Sequence, residues 1–162
     1  MALTLAGKPL SENAFDHTAN PAVPDFPNFS AFSVMDAHCA ICAKGARWIA
    51  HYDASEEFRI ITMQSDLGRA LLVHYGLNPD DPTSWLFVDR GVAFSSSDAV
   101  IRAAQRLGGI WRVLSLGWII PKPVRDWAYY TVARNRHRWF GRADMCAMPD
   151  PKVQARLYPK PS

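Results

Sequence analysis

Apolar and polar positions along the chain fall into short blocks whose period switches between continuous or strand-like and helical. Ala31 to Met35 (AFSVM) is a short apolar run suited to a buried strand. From Cys39 to about Tyr52, Ile41, Gly45, Trp48, Ile49 and Tyr52 recur at i, i+4, i+7, i+8 and i+11, the stripe of an amphipathic helix. Phe58 to Met63 (FRIITM) is rich in β-branched residues and reads as a second strand. Ser65 or Asp66 caps a helix from Leu67 to Tyr75, which Gly76 stops. The turn-rich NPDDP leads into a third strand, Ser84 to Val88. Asp89-Arg90-Gly91 then turns the chain into a fourth, Val92 to Ser95. Ser97 caps a helix from Asp98 to Leu107, closed by Gly108-Gly109. Two more helical stretches follow, Ile110 to Ile120 and about Val124 to Arg138. In the second, Val124, Trp127, Ala128 and Thr131 share one face.

The order β-α-β-α-β-β-α predicts an α/β domain with a small mixed sheet and helices on both faces. The connection between strands three and four is so short that they must pair antiparallel, whereas the two earlier crossovers predict parallel pairing. Residues 1–29, with Pro9, Pro21, Pro24 and Pro27, read as a Pro-rich tail or wrap. Residues 30–109 form the core, 110–146 a helical extension packed on it, and 147–162 a Pro-rich tail. Trp111, Trp118, Trp127 and Trp139 are expected to seal the extension onto the core.

Composition narrows the class. With 49% hydrophobic and 20% charged residues in 162, the chain can build a core without metal or disulfide staples. No apolar run approaches the ~20 residues of a membrane-spanning helix. No basic stretch followed by an apolar run marks a signal peptide, so a cytoplasmic location is expected. Three cysteines cannot all pair within the chain, which favours a reducing compartment and cysteines kept for reactivity. The net charge of +3 is uneven: residues 1–81 hold 5 Lys/Arg against 10 Asp/Glu, residues 82–162 hold 13 against 5. The basic excess, from Arg102 to Arg142, is either a solvated helix face or a surface for an anionic partner.

Chemistry concentrates at Cys39-Ala40-Ile41-Cys42, where the first strand hands over to the first helix. A cysteine at a helix N-terminus meets unpaired N–H groups and the positive end of the dipole, which favour the thiolate. The second cysteine lies inside the first turn, expected to be the more buried, and can attack a mixed disulfide. Zinc would need two further ligands; Cys146 and His38 or His51 could be recruited, but there is no second CxxC or HxxxH. A c-type haem needs His after Cys42, where Ala43 stands. Two inert buried cysteines remain the plain alternative.

The strand with DAHCAIC, the segment MQSDLGRALLVHYGLNPDDPTSWLFVDRG, SSSDAVIRAAQRLGG and ARNRHRWFGRADMCAMP follow one another from about Phe32 to Pro149. In these pieces and their order the sequence resembles the DCC family of predicted thiol-disulfide oxidoreductases, within the thioredoxin-like superfamily. The resemblance implies a thioredoxin-like mixed four-stranded sheet with a C-terminal helical extension and a redox-active dithiol at Cys39 and Cys42. Asp36 matches an acidic residue of the family motif and is a candidate for proton handling or orientation, or a turn residue bonding local N–H groups. The family's Asp before the first cysteine is replaced by His38, and the frequent Pro after it by Ala40. A protonated His38 would stabilise a Cys39 thiolate where an Asp would oppose it. A cis-proline precedes the third strand in thioredoxin-like folds, which makes Pro82, with Thr83 and Ser84, a candidate substrate-binding segment. Cys146 and Arg134, Arg136, Arg138 and Arg142 match the family's C-terminal run. Arg134 and Arg136 are candidates for holding an anionic substrate.

The expected activity is protein-disulfide reductase-like: Cys39 attacks and Cys42 resolves. The dithiol itself is the redox centre, with no organic cofactor and no metal. Its partners are a protein or small-molecule disulfide and an unidentified electron donor. Nucleic acid is not among them, because no recognition element accompanies the basic residues. The competing reading is a non-catalytic module that docks a partner or membrane surface, with a structural or zinc-binding CxxC.

Overall fold

The computed structural model describes residues 20–81 and 85–160. Its elements are β1 (Ala31–Met35), α1 (Ala40–Tyr52), β2 (Phe58–Thr62), α2 (Asp66–His74), β3 (Leu86–Asp89), β4 (Val92–Ser95) and α3 (Ser96–Leu107), then a 3-10 segment (Gly109–Ile119), α4 (Lys122–Phe140), α5 (Pro151–Arg156) and β5 (Leu157–Tyr158). The mixed sheet has the order β4-β3-β1-β2-β5. Alternation along each strand divides its side chains between two cores. Ala31, Met35, Phe58, Ile60, Phe87 and Phe94 face α1 and α3. Phe32, Val34, Ile61, Leu86 and Val88 face α2. The predicted helices on both faces are therefore present, and each strand's period of two sets which core its residues join.

The hairpin is antiparallel, turning through Arg90 and Gly91 at φ 49° and 81°, the positive pair that a two-residue hairpin turn needs. β1 and β2 pair parallel, as their crossover demands. β3 departs from expectation: it runs antiparallel to β1, Ala31 opposite Asp89. Eleven residues, 75–85, separate α2 from β3. A connection that long can span ~35 Å, enough to return the chain to the far end of a five-residue strand.

Three further differences lie in the second half. The sheet has five strands rather than four. The stretch read as a Pro-rich tail supplies the fifth, β5 pairing parallel with β2, and the short helix before it. Asp150 caps that helix on the Lys152 N–H, and Pro151 starts it. Residues 109–119 wind as a 3-10 helix. Gly109, Gly117 and the following Pro121 weaken an α-helix there, and three residues per turn place Ile110, Val113, Leu116 and Ile119 along one edge. That edge is exposed, as are Trp127 and Trp139. Trp111 packs against Trp48 and Tyr52 of α1 as the expected seal, whereas Trp118 lies beneath Arg125 within the extension itself. The face of α4 turned inward carries Ala133 and Arg136, not Val124 and Trp127. Ion pairs from Lys122 and Arg125 to the buried Asp98 of α3 fix that rotation.

A buried ion pair fastens the C-terminal end. Arg156, 5% exposed, meets Asp53, 7% exposed, at the end of α1. Burial pushes the Asp53 carboxyl up, but Ser55, the Phe58 N–H and Arg156 outweigh it and hold its pKa below the usual range. The stability this adds is present above the ordinary carboxylate range and lost as pH falls through the lowered value. Arg156→Leu leaves that carboxylate buried without its counter-charge. It should cost about 3–5 kcal/mol, and a thermal melt at pH 7 should show Tm lower by roughly 6–20 °C. A Tm within ~2 °C of the parent would mean that α5 and β5 hold without the pair.

Candidate active site

β1 ends at Met35, and the four residues before α1 build the site. Asp36 is 7% exposed and its carboxylate is fully engaged. Oδ1 accepts the His38 N–H at 2.9 Å and the Gln64 Nε2 at 2.8 Å, while Oδ2 takes Arg136 from α4. Asp36 thus does what a turn residue does and also anchors a cation. His137 Nε2 approaches the same oxygen at 3.8 Å. Gln64 also receives the Ala37 N–H at 3.0 Å, so the turn is held from β2 as well as from α4.

Cys39 is the N-cap residue of α1, in extended conformation. Its side chain makes no capping hydrogen bond, but its sulfur lies near the Cys42 thiol and the backbone N–H groups of Ile41 and Cys42. These groups and the open helix N-terminus favour negative charge on that sulfur. The Cys42 thiol is the strongest influence. Burial opposes it, the Arg136 charge assists, and the Cys39 pKa is lowered to about 6. Cys42 moves the other way. The Cys39 sulfur beside it, burial and the Cys39 charge all hold it as a thiol, against the pull of Arg136. Both cysteines are free thiols, so the structure is of the reduced pair.

Exposure reverses the expected order. Cys39 is 0% exposed and Cys42 only partly buried. Residues 141–145 run antiparallel beside residues 37–40. Cys39 bridges to Arg142, Met145 N–H bonds Ala37 O at 2.8 Å and Ala143 N–H bonds His38 O at 3.3 Å. The Ala40 N–H reaches Gly141 O at 3.4 Å, the longest of these contacts. Cys42 instead opens onto an apolar cavity between α1, α3 and α4.

The structure thus brings Asp36, Cys39, Cys42 and Arg136 together. His38 is exposed, with its backbone held and its ring toward solvent; Arg134 is exposed on the outer face of α4. Pro82, Thr83 and Ser84 lie outside the described residues. Cys146 is partly buried against the α1-side core, burial raising its pKa with help from Asp144. Gln64, the cavity-lining Tyr129 and Trp85, and the covering of Cys39 by residues 141–145 were not identified from the sequence, which marked that segment only through the resemblance. Gln64 has only its position two residues after β2, within the MQSD segment, to mark it. Among the described residues no group of three or more His, Cys, Asp or Glu is placed to hold a metal, and no helix is long and apolar enough to cross a membrane.

Comparison with known proteins finds a match to the model of the DCC1-like thiol-disulfide oxidoreductase family over residues 33–142. The chain is 34% identical over 125 residues to the uncharacterized protein YuxK of Bacillus subtilis, covering 77% of this chain and 91% of that one. It is 30% identical over 115 residues to the DCC family protein At1g52590, chloroplastic, of Arabidopsis thaliana, covering 70% and 67%. No solved structure gives a significant match.

The lowered Cys39 pKa has a thermodynamic signature. The thiolate stabilises the folded reduced form above the ordinary thiol range, and that contribution is lost as pH falls through about 6. Below that pH, reducing the disulfide takes up two electrons and two protons; above it, two electrons and one proton. Each proton is worth ~30 mV per pH unit in a two-electron couple. The reduction potential should therefore fall by about 59 mV per unit below the break and about 30 mV above it. Equilibration with glutathione buffers across pH 5–8 measures this. One slope of ~59 mV throughout would place the Cys39 pKa well above that range. Replacing Cys42 should raise the Cys39 pKa more than Arg136→Gln does, because the neighbouring thiol outweighs the charge.

Proposed function

The chain belongs to the DCC1-like thiol-disulfide oxidoreductase family, and within it we propose that this protein exchanges disulfides through Cys39 and Cys42, as a protein-disulfide reductase-like enzyme. The observation that carries the reading is the placement of two free thiols, Cys39 at the N-terminus of α1 and Cys42 within its first turn, with the Arg136 cation acting on both, an arrangement that favours a Cys39 thiolate and a Cys42 thiol.

The Cys39 thiolate attacks one sulfur of the substrate disulfide, forming a mixed disulfide and expelling the other sulfur as thiolate. That step removes the charge and the acceptor that kept Cys42 protonated, while the Arg136 charge remains. The Cys42 pKa falls, its proton passes to the departing thiolate, and its sulfur attacks Cys39. The second substrate sulfur leaves as a thiolate, which takes its proton from water, and the Cys39–Cys42 disulfide closes, so one substrate disulfide is reduced for one protein dithiol oxidised. A thiol reductant restores the dithiol. Because Cys39 is covered, a bulky disulfide reaches it only when residues 141–142 shift, and their contact to α1 is the weakest of that segment.

The reading of a surface-docking module with structural cysteines draws on the exposed edge of Ile110, Val113, Leu116 and Ile119. It parts from the first in one assay, since inert cysteines give no turnover.

In an insulin-type reduction assay, Cys39→Ser should abolish turnover and Cys42→Ser should accumulate a mixed disulfide visible by mass. Cys146→Ser should keep activity. Full activity in a folded Cys39→Ser variant would sink the mechanism. Loss of turnover in folded Cys146→Ser would add a third sulfur to the relay.

A further inference from the structure

Arg136 is 6% exposed, and its bond to Asp36 uses one terminal nitrogen. Its Nε–H has no hydrogen-bond partner among the described residues. A buried donor left without an acceptor is costly, and native proteins keep few of them. The same residue lines the cavity onto which Cys42 opens, which has a volume of about 550 Å³. That is within the ~300–1,000 Å³ of small-molecule sites. The walls are apolar: Trp48 and Ile49 from α1, Val100 and Leu107 from α3, Val132 from α4, and Trp85 before β3. Asp36, Lys44 and Tyr129 also line it, so the site is a largely apolar chamber in which the buried Arg136 offers an unpartnered donor close to the Cys42 thiol.

We propose that this cavity binds an uncharged, largely apolar small molecule that presents a carbonyl-type acceptor to Arg136 and lies against the Cys42 sulfur. The inference deepens the dithiol reading and rests on it for its role as substrate, while occupancy of the cavity stands on the geometry alone. Charge selects against an anion. The guanidinium already answers the Asp36 carboxylate, a pairing that the Cys39 and Cys42 substitutions below leave in place. A carboxylate ligand would put a further negative charge on one buried cation and carry its own desolvation cost. Lys44, the other cation on the wall, is solvent-exposed, where its field is screened. A neutral carbonyl satisfies the Nε–H without either cost.

The test uses the full chain with Cys39→Ser and Cys42→Ser, so that failure of thiol exchange cannot affect it. Duroquinone is the probe, because it is neutral, apolar, carries carbonyls and has no free ring position for a thiol to attack. Trp48 and Trp85 report its binding through quenched fluorescence. The expected result is saturable quenching, with decanoate, an apolar carboxylate of similar size, and durene, the same ring without carbonyls, each displacing duroquinone only at about tenfold higher concentration or more. Val100→Trp and Leu107→Phe, two turns apart on α3, fill the cavity and should each weaken binding by about tenfold or more. Absence of saturable quenching overturns the proposal. So does undiminished binding in a filled variant whose thermal melt stays cooperative. Decanoate competing as well as duroquinone overturns the charge selection, and durene competing as well overturns the role of Arg136. The two competition arms need no cavity substitution, so they decide even if both filled variants fail to fold.

Discussion

The ion pair between Asp36 and Arg136 is the constraint on which the site depends. Asp36 closes β1 and Arg136 projects from α4, so the pair pins the helical extension to the end of the central strand. Both partners are buried, which makes the contact unforgiving: the pair gains little over an apolar contact, but removing one partner strands a charge. The same carboxylate fixes the turn through His38 N–H and Gln64, and that turn aims the Cys39 sulfur at the first N–H groups of α1. Rigid placement of the acceptor turns ordinary helix N-terminal polarity into a shifted thiol. Backbone, Cys42 and Arg136 all act on one sulfur, so no single exposed residue need tune it.

Much of the fold was legible because each element announces itself locally. The stripe from Ile41 to Tyr52, the β-branched Phe58–Thr62 and the Arg90-Gly91 turn each have a period or a positive φ that chain sterics dictate. Strand direction after α2 was not legible, because a long irregular connection carries no handedness signal. β5 escaped notice because two residues are too few to show alternation and Pro-rich flanks read as tail. In α4 the apolar residues Val124 and Trp127 suggested the wrong inward face. Charged side chains chose the rotation there, and the helix has almost no amphipathic bias to reveal it.

The candidate site divides along the same line. Cys39 and Cys42 were readable from a strand-to-helix junction and from the resemblance. Asp36 was visible as a nearby carboxylate, but its partners Gln64 and Arg136 are 28 and 100 residues away, beyond any local pattern. The covering of Cys39 by residues 141–142 is likewise a tertiary fact. It reverses which sulfur meets open space, and it gives the two cysteines different surroundings. Cys39 faces a backbone layer that must yield, whereas Cys42 faces a preformed apolar chamber.

The 100-residue span between Asp36 and Arg136 also has a meaning in time. At ~5–20 residues per second of synthesis, the cysteines are made about 5–20 s before the arginine that completes their surroundings. Until α4 and the 141–145 segment arrive, Cys39 lacks both the Arg136 charge and the backbone that covers it. On the nascent chain it is a more ordinary and more accessible thiol. The reactive sulfur is therefore finished late, by the C-terminal third of the sequence, and a chain cut short before α4 carries the complete CxxC without the environment that sets its chemistry.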